Sequence, residues 1–355
     1  MSPKKKVLLG MSGGVDSSVA AHLLLEAGYE VIGATMRLWV DEDDPDVGGC
    51  CSLSNVEDAR QVAARFGIPH YVLNYKEQFE RQVVDYFVAE YQAGRTPNPC
   101  IACNSRIRFT SFLQQARSIG CDYIATGHYA RVWRGSAGQY RLQKGVDAQK
   151  DQSYMLFRMT EEQLSHTLFP LGTMTKPEVR ALADRLDLVV ADKPDSQEIC
   201  FIPDDDYRRF LLDRRVVSRA PGDIISVHGN VLGRHEGAFN YTVGQRKGLG
   251  ISAPAPLYVT AVDVARNTVT VGYKEDLFSE TATIRDLHLM EEPGNRSLTA
   301  RVRYSQNQHP CQVTSIQGDT ATVRFNPPVR AITPGQSLVL YHHDIVVGGG
   351  VICGA

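Results

Sequence analysis

The sequence is short of several features, and each shortage excludes a class of protein. Its 355 residues contain no apolar run near the roughly 18 residues that a membrane-spanning helix needs. The apolar run after the basic N-terminus, residues 7–9, is too short for the core of a signal peptide, so we expect a cytoplasmic protein. Lys and Arg number 38 against 40 Asp and Glu. This balance excludes a broadly basic nucleic-acid coat but leaves room for a local basic patch.

Metal-ligand patterns are equally sparse. The 10 histidines include no His-x-x-x-His pair, and Cys-x-x-Cys occurs once, at Cys100 and Cys103, so a structural zinc site lacks its second ligand pair. In a cytoplasmic protein we expect the eight cysteines to be thiols, metal ligands or redox groups before structural disulfides. We interpret Cys50 and Cys51 as loop thiols, and the acidic run of residues 41–46 as a solvated loop.

The order of strand and helix patterns predicts the architecture. Residues 1 to about 130 alternate short apolar strands with helical patterns, which indicates a doubly wound parallel sheet covered on both faces. Two helix starts have capping-box spacing, Ser54 to Glu57 and Thr175 to Glu178. From about residue 216, short strands alternate with Gly, Asn and Asp turns, which is typical of all-β structure. We predict an α/β domain over residues 1–215, a small β-rich domain over 216–275 and a β-barrel over 276–355.

A glycine-rich loop joins the first strand to the first helix. Residues 12–17 read Ser-Gly-Gly-Val-Asp-Ser. A helix N-terminus presents unpaired amides and a partial positive charge, so this position suits a phosphate group. The two glycines allow close approach of the ligand, and the serines add hydroxyl donors. The spacing matches neither the common P-loop nor the dinucleotide fingerprint.

The second signal is a proline-stiffened loop that ends in Cys-x-x-Cys. Residues 96–104 read Thr-Pro-Asn-Pro-Cys-Ile-Ala-Cys-Asn and precede a helical pattern through Phe109 and Leu113. A thiol near a helix N-terminus can have its pKa lowered, which favours the thiolate. Residues 91–121 also hold four arginines, at positions 95, 106, 108 and 117, and no acid. We interpret this stretch as a basic patch suited to a polyanion.

Residues 12–17 resemble the signature of the N-type ATP pyrophosphatases, which split ATP between its α and β phosphates and transfer AMP to an oxygen of the substrate. Five further segments narrow the resemblance: residues 96–104, 125–129 (Ala-Thr-Gly-His-Tyr), 150–154 (Lys-Asp-Gln-Ser-Tyr), 195–201 (Asp-Ser-Gln-Glu-Ile-Cys-Phe) and 244–250 (Gly-Gln-Arg-Lys-Gly-Leu-Gly). Together they resemble tRNA-specific 2-thiouridylase, in order, from residue 7 to the C-terminus. The resemblance implies ATP-dependent 2-thiolation of the wobble uridine of the tRNAs for Lys, Glu and Gln.

The resemblance also implies roles for individual residues. The ATP-binding residues would be Gly10, Met11, Ser12, Gly13, Gly14, Val15, Asp16, Ser17, Met36 and Gly127. The tRNA-binding residues would be Asn98, Pro99, Cys100, His128, Lys150, Asp151, Gln152, Arg303, Tyr304 and Gln336. Cys200 would carry the incoming sulfur as a persulfide. Cys103 would be the nucleophile that closes a disulfide with Cys200 as the sulfur leaves.

One position departs from the family pattern, which has Asp where this chain has Cys100. A thiol of pKa about 8.5 is a different acid from a carboxyl of about 3.9. Either Cys100 takes over proton transfer, or Cys100, Cys103 and Cys200 ligate a [4Fe-4S] cluster, in which three cysteines would leave one iron open. The other motifs favour the persulfide route, with no firm metal site. A catalytically silent RNA-binding relative is the rival from another class.

The resemblance implies cofactors and partners as well. We expect ATP with Mg²⁺, tRNA as the substrate, and a sulfur donor that is either a cysteine desulfurase or a sulfur-relay protein. We further expect a monomer with no membrane association.

Overall fold

The structure is a computed structural model that describes residues 3–39, 52–194, 199–202, 204–217 and 220–354. The chain forms two compact units. The first unit comprises Met1–Val83, Cys100–Asp205 and Asp344–Val346, and the second comprises Val84–Pro99, Asp206–His343 and Val347–Ala355. The expectations for residues 41–46, Cys50 and Cys51 lie outside the described residues, as do residues 195–198 of the Cys200 segment.

The first unit is built on a parallel sheet. Its strands are β1 (Lys6–Gly10), β2 (Glu30–Arg37), β3 (His70–Asn74), β4 (Tyr123–Ala125), β5 (Ala130–Arg134), β6 (Tyr140–Lys144) and β7 (Thr167–Leu168). Five of them form the sheet in the order β3-β2-β1-β4-β7, and all four neighbouring pairs are parallel. β5 and β6 form an antiparallel hairpin. The chain crosses from one side of β1 to the other between β3 and β4, so the topological switch point lies between β1 and β4.

The described residues form ten α-helices. They are α1 (Val15–Glu26), α2 (Leu53–Arg65), α3 (Lys76–Phe79), α4 (Asp85–Gln92), α5 (Pro99–Cys103), α6 (Phe112–Ser118), α7 (Ser153–Leu156), α8 (Glu161–Ser165), α9 (Lys176–Arg185) and α10 (Tyr207–Asp213). Of these, α4 and α10 belong to the second unit. No helix among the described residues is long and apolar enough to cross a membrane. The apolar faces of α1, α2 and α9 pack with β1 and β2 in one core. Val7 and Leu9 of β1 lie in this core, and Leu8 and Gly10 between and after them are also buried, so β1 is covered on both faces.

Of the two helix starts predicted from the sequence, one is confirmed and one is wrong. Thr175 caps α9 as predicted. The Glu178 carboxylate accepts a hydrogen bond from the Thr175 backbone amide at 2.7 Å. The cap predicted at Ser54 is wrong: α2 begins at Leu53, and the Ser52 hydroxyl accepts the Asn55 amide at 3.3 Å. Ser52 lies two residues ahead of the predicted box and already satisfies an amide of the first turn, so the helix starts there.

The Cys-x-x-Cys segment is helical rather than part of a loop, which corrects the sequence interpretation. α5 runs from Pro99 to Cys103 and continues through a π-helical stretch, Asn104–Ser111, into α6. Proline suits the first helical position because its φ is already helical and its missing amide proton would have no partner there. Cys100 and Cys103 therefore lie in the first turns of one long helical segment.

The second unit contains the β structure predicted for the C-terminal half. Its strands are β8 (Gly222–Ser226), β9 (Val231–His235), β10 (Tyr258–Asp263), β11 (Thr268–Gly272), β12 (Phe278–Leu289), β13 (Leu298–Arg301), β14 (His309–Gln317), β15 (Thr320–Arg330), β16 (Ser337–His342) and β17 (Ile345–Gly354). β8 to β11 form a four-stranded sheet with its own core. β12 to β17 close into a barrel through the β12–β17 pairing. The fold class predicted from the sequence is confirmed.

Candidate active site

The glycine-rich loop lies at the carboxyl end of β1 and opens directly into α1. Its hydroxyls are directed into the loop: the Ser12 amide donates to the Ser17 hydroxyl at 3.2 Å, and the Ser17 and Ser18 hydroxyls donate to the Gly14 carbonyl at 3.1 and 2.9 Å. Gly14 is extended and caps α1 without a side chain. The amides of the first turn of α1 therefore face the loop without a side-chain acceptor from the cap, as an anion site requires.

Gly13 packs closely against α2, and Lys193 forms hydrogen bonds to residues on both sides of this contact. A Cβ at Gly13 would lie 2.0 Å from the Asn55 carbonyl oxygen, and the φ of Gly13 is +69°, so this position requires glycine. The Lys193 ammonium donates to the Gly13 carbonyl at 3.0 Å and also to the side chains of Asn55 and Asp58. One cation therefore joins the loop, α2 and the chain segment that leads to Cys200.

Asp16 is held by two partners that the sequence motifs did not indicate. The buried Lys176 ammonium donates to both Asp16 carboxylate oxygens, at 2.8 and 2.9 Å, and the Tyr129 hydroxyl donates to one of them at 2.7 Å. Lys176 is the first residue of α9, and Tyr129 follows β4. These contacts fix the first turn of α1 against both flanking elements, and they compensate the carboxylate charge where phosphate would approach.

The end of β4 meets the loop at the switch point. A Cβ at Gly127 would lie 2.9 Å from the Ser17 amide nitrogen, so the backbone after β4 packs directly on the start of α1. Met36 at the end of β2 is 8% exposed, and its methyl group lies 3.2 Å from the Cβ position of Gly10. The predicted ATP-binding residues are thus gathered at one edge of the parallel sheet, where ligands of open α/β sheets bind.

His128 lies at the same edge in a desolvated setting. Its ring packs beside Phe109 and Phe169, with centroids 5.8 and 6.2 Å away, and Nδ1 lies 2.8 Å from the Thr126 hydroxyl. Desolvation, with a smaller contribution from the Arg108 charge, lowers the pKa of His128 to about 3. His128 is therefore neutral near pH 7, and any contact that it makes with RNA is a hydrogen bond or a stacking contact rather than a charge pair.

The three predicted RNA contacts at positions 150–152 differ in their surroundings. Asp151 is 3% exposed, and its carboxylate accepts the Gly145 and Ser153 amides, both at 3.1 Å, and the Ser153 hydroxyl at 2.9 Å. The Gln152 side chain accepts the Tyr129 amide at 2.9 Å. Both side chains shape the turn beside the end of β4. Lys150 lies in that turn and is half-buried.

The cysteines singled out from the sequence have three different environments. Cys103 is buried, Cys200 is partly exposed and Cys100 is exposed. Beside Cys200, Phe201 packs against Phe79 and Trp39, with centroids 5.6 and 6.1 Å away, where the chain leaves β2 and β3. Lys193 and Phe201, which lie on either side of Cys200 in the sequence, are thus both found at the carboxyl edge of the sheet. Among the described residues, no group of three or more His, Cys, Asp or Glu is placed to hold a metal ion.

The basic patch predicted for residues 91–121 is partly neutralised. Arg95 forms a bidentate pair with Glu90, with both distances 2.7 Å, and Arg117 pairs with Glu162 at 2.8 Å. The acids lie outside the 91–121 window, so the sequence count missed them. Fewer unpaired positive charges are therefore left here to bind a polyanion than the composition indicated.

In the second unit, the remaining predicted RNA contacts lie in and beside the barrel. The Gln336 side chain donates to the Thr96 carbonyl at 2.9 Å, just ahead of Asn98. Arg303 donates to the Val243 carbonyl at 2.7 Å and to the Thr333 hydroxyl. Tyr304 is 36% exposed. The structure thus brings Gln336 to the loop that carries Asn98 and Pro99.

Comparison with known families accounts for almost the whole chain. Residues 5–204 match the model described as a tRNA methyl transferase HUP domain, 208–273 a tRNA methyl transferase PRC-barrel domain, and 279–352 an aminomethyltransferase beta-barrel domain. The parallel sheet and its glycine-rich loop define a HUP-domain protein, and two β domains follow the HUP domain.

Relatives that match along nearly their full length carry a more specific name. The chain is 51% identical to tRNA-specific 2-thiouridylase MnmA of Acetivibrio thermocellus, over 98% of this chain and 99% of the relative. It is 49% identical to the protein of the same name from Clostridioides difficile, over 99% of each. The Geobacter metallireducens protein is 50% identical over 98% of this chain and 97% of its own length. The chain belongs to the tRNA-specific 2-thiouridylase family.

Proposed function

We propose that the chain catalyses ATP-dependent 2-thiolation of the wobble uridine of tRNA, of the Lys, Glu and Gln type. The observation that carries the proposal is the presence, at one edge of the parallel sheet, of the Ser-Gly-Gly-Val-Asp-Ser loop together with Lys193 and Phe201, which flank Cys200 in the sequence. A nucleotide site and a thiol on the same edge fit a reaction in which ATP activates an oxygen that sulfur then replaces. The family membership supports the same reaction.

In the first step, the loop and the N-terminus of α1 hold the ATP phosphates, with Mg²⁺ as the accompanying cation. The C2 oxygen of uridine attacks the α phosphorus, and pyrophosphate leaves. This step converts a poor leaving group into AMP, a good one. We assign Gly10 to Ser17, Met36 and Gly127 to ATP on the strength of their common location.

In the second step, the terminal sulfur of a Cys200 persulfide attacks C2, and AMP leaves. Cys103 then attacks the Cys200 sulfur, which releases 2-thiouridine and forms a Cys103–Cys200 disulfide. An external thiol reductant must reduce that disulfide before the next turnover. A cysteine desulfurase or a sulfur-relay protein reloads Cys200. We assign proton transfer near C2 to the exposed Cys100.

The tRNA contacts follow from the same proposal. Asn98, Pro99 and Cys100 border the target base, while His128, Lys150, Gln152, Arg303, Tyr304 and Gln336 lie along the RNA. Asp151 acts through the turn that its buried carboxylate holds. We propose that these roles are divided among the three predicted domains, 1–215, 216–275 and 276–355.

Mass spectrometry of nucleosides tests the function. Unmodified tRNA for Lys, Glu or Gln is incubated with the protein, Mg²⁺, ATP, cysteine and a cysteine desulfurase. We expect 2-thiouridine at the wobble position and an equal amount of AMP. Omission of ATP should abolish both products. A protein that binds the tRNA but forms neither product would be a silent RNA-binding relative.

Iron and sulfide analysis of anaerobically purified protein separates the two sulfur routes. We expect full activity without bound iron, because the other motifs of the chain match the persulfide route. Activity that requires a near-stoichiometric cluster would overturn the persulfide route while leaving the overall reaction intact.

A further inference from the structure

The loop ahead of α5 is bound by the C-terminal barrel and its neighbouring segment. Within the second unit, the Thr96 amide donates to the Pro334 carbonyl at 2.9 Å. The Gln336 side-chain amide donates to the Thr96 carbonyl at 2.9 Å and, at a longer 3.4 Å, to the Pro97 carbonyl. The Thr96 hydroxyl donates to the Thr242 hydroxyl at 3.2 Å. Both backbone polar groups of Thr96 and its side chain therefore have protein partners, which fixes the path of the loop.

Gly335 allows this close docking. A Cβ at Gly335 would lie 2.7 to 2.9 Å from the Thr96 amide nitrogen, carbonyl carbon and carbonyl oxygen. The φ of Gly335 is +91°, which L side chains rarely adopt. The opposing atoms are backbone, so any side chain here must displace the loop itself.

An ion-pair network anchors the start of the same loop. Glu90 on α4 is 5% exposed and accepts both the bidentate pair from Arg95 and Nη2 of Arg285 on β12, at 3.1 and 3.3 Å. The bond to Glu90 raises the pKa of Arg95. Bidentate arginine pairs fix orientation as well as distance. Arg95 is thus tied through Glu90 to a barrel strand, one residue before the docked Thr96.

We infer that the barrel positions the loop that borders the target base, with Gln336 and the Glu90–Arg285 pair as its positioning residues. The inference rests on the proposed function, in which Asn98 to Cys100 border that base. Gln336 acts on the loop through the backbone carbonyls of Thr96 and Pro97. A displacement of about 1 Å in such a loop is enough to slow a reaction about 100-fold.

A comparison of turnover with tRNA affinity tests this role. Gln336→Ala and the near-isosteric Gln336→Glu both remove the amide donor. We expect each to lower the rate at saturating tRNA by about 10-fold or more, beyond any change in tRNA affinity. The exposed Gln317→Ala, at the end of β14, is the matched control and should change neither the rate nor the affinity. An unchanged saturated rate, whatever the tRNA affinity, would overturn the inference, because the loop would then be placed without the Gln336 amide.

Hydrogen exchange provides a readout that does not depend on activity. We expect amide exchange in a peptide covering residues 94–98 to be about 10-fold faster in Gln336→Ala than in wild type, and unchanged in Gln317→Ala. Unchanged exchange in Gln336→Ala would refute the positioning role even in an active enzyme. Conversely, failure of the wild-type chain to thiolate tRNA would refute the proposed function and leave the exchange result to decide on the loop.

Discussion

The first and second units use glycine for different purposes. At the sheet edge of the first unit, Gly13 and Gly127 bring backbone close to the start of α1, where a phosphate group would bind. In the second unit, Gly335 brings one part of the chain against another, the Thr96 loop. The first device prepares a surface for a ligand, and the second fixes the position of a segment.

The two regions also treat charge differently. In the first unit, Asp16 and Asp58 are about 30% exposed and are paired with Lys176 and Lys193 at the edge of the candidate site. In the second unit, Glu90 is almost fully buried between two arginines. The partly exposed pairs adjust the charge at the edge of the candidate site, whereas the buried Glu90 holds its neighbours in one geometry. Changes in the first unit should therefore alter chemistry and ATP binding, and changes in the second should alter stability and base placement.

The largest expected effect is at Cys200. Cys200→Ser should reduce thiolation to background, because the hydroxyl cannot carry a persulfide, while tRNA-dependent adenylation remains detectable. Nucleoside mass spectrometry and pyrophosphate release measure the two steps. Cys353→Ser, on the exposed end of β17, serves as the control and should leave both steps unchanged. Thiolation by the Cys200→Ser protein would show that the sulfur does not pass through this residue.

Gly13→Ala should come next, with a loss of ATP binding. The added methyl group would meet the Asn55 carbonyl and force the loop away from α2. Gly28→Ala is the matched control, since Gly28 also has positive φ, at +85°, but nothing lies within 4 Å of its Cβ position. Both variants should lose about 1 kcal/mol of stability from backbone strain. Calorimetric titration with ATP should separate them, and equal ATP affinities would contradict the account of the loop.

Glu90→Gln should destabilise the protein by about 3 kcal/mol, because it leaves two arginines against a neutral amide in a buried setting. Glu162→Gln breaks the exposed pair with Arg117 and should cost less than about 1 kcal/mol. Urea unfolding of the two variants measures the difference. Equal losses would mean that the Glu90 network stabilises the second unit no more than a surface pair does.

The smallest effect concerns His128 and pH. Its folded pKa of about 3 lies below the ordinary value of 6.5, so between these values the unfolded chain binds the extra proton and stability falls as pH falls. From pH 7.5 to 5.5, His128 should therefore remove about 1 kcal/mol of stability. His128→Gln should lose that part of the pH dependence in urea unfolding, whereas His228→Gln, in an exposed turn, should follow wild type. Identical slopes for wild type and His128→Gln would mean that the ring is not desolvated.

Local sequence patterns predicted the fold and the position of the glycine-rich loop well. The alternation of strands and helices, the cap at Thr175 and the glycine-rich loop are local patterns, and each was found where the pattern stands. The cap of α2 was misplaced by two residues because Ser52 and Ser54 offer competing hydroxyls. The helical start at Pro99 was missed because two prolines in five residues read as a loop, although one of them occupies the first helical position.

The long-range contacts that hold the two regions in place could not be predicted from local sequence patterns. Lys176 lies 160 residues from Asp16 along the chain, and Gln336 lies 240 from Thr96. Neither lysine nor glutamine carries a recognisable motif, and only the folded chain brings them to their partners. The neutralisation of Arg95 and Arg117 was hidden for the same reason, because their acids lie outside the arginine-rich segment.

A single-turnover sulfur transfer tests the central claim most directly. Cys200 is loaded with isotopically labelled persulfide by a cysteine desulfurase, the donor is removed, and tRNA with Mg²⁺ and ATP is added. We expect one labelled 2-thiouridine for each AMP released, together with a new disulfide between Cys103 and Cys200. Thiolated tRNA without the label, or label that stays on the protein while AMP is released, would contradict it.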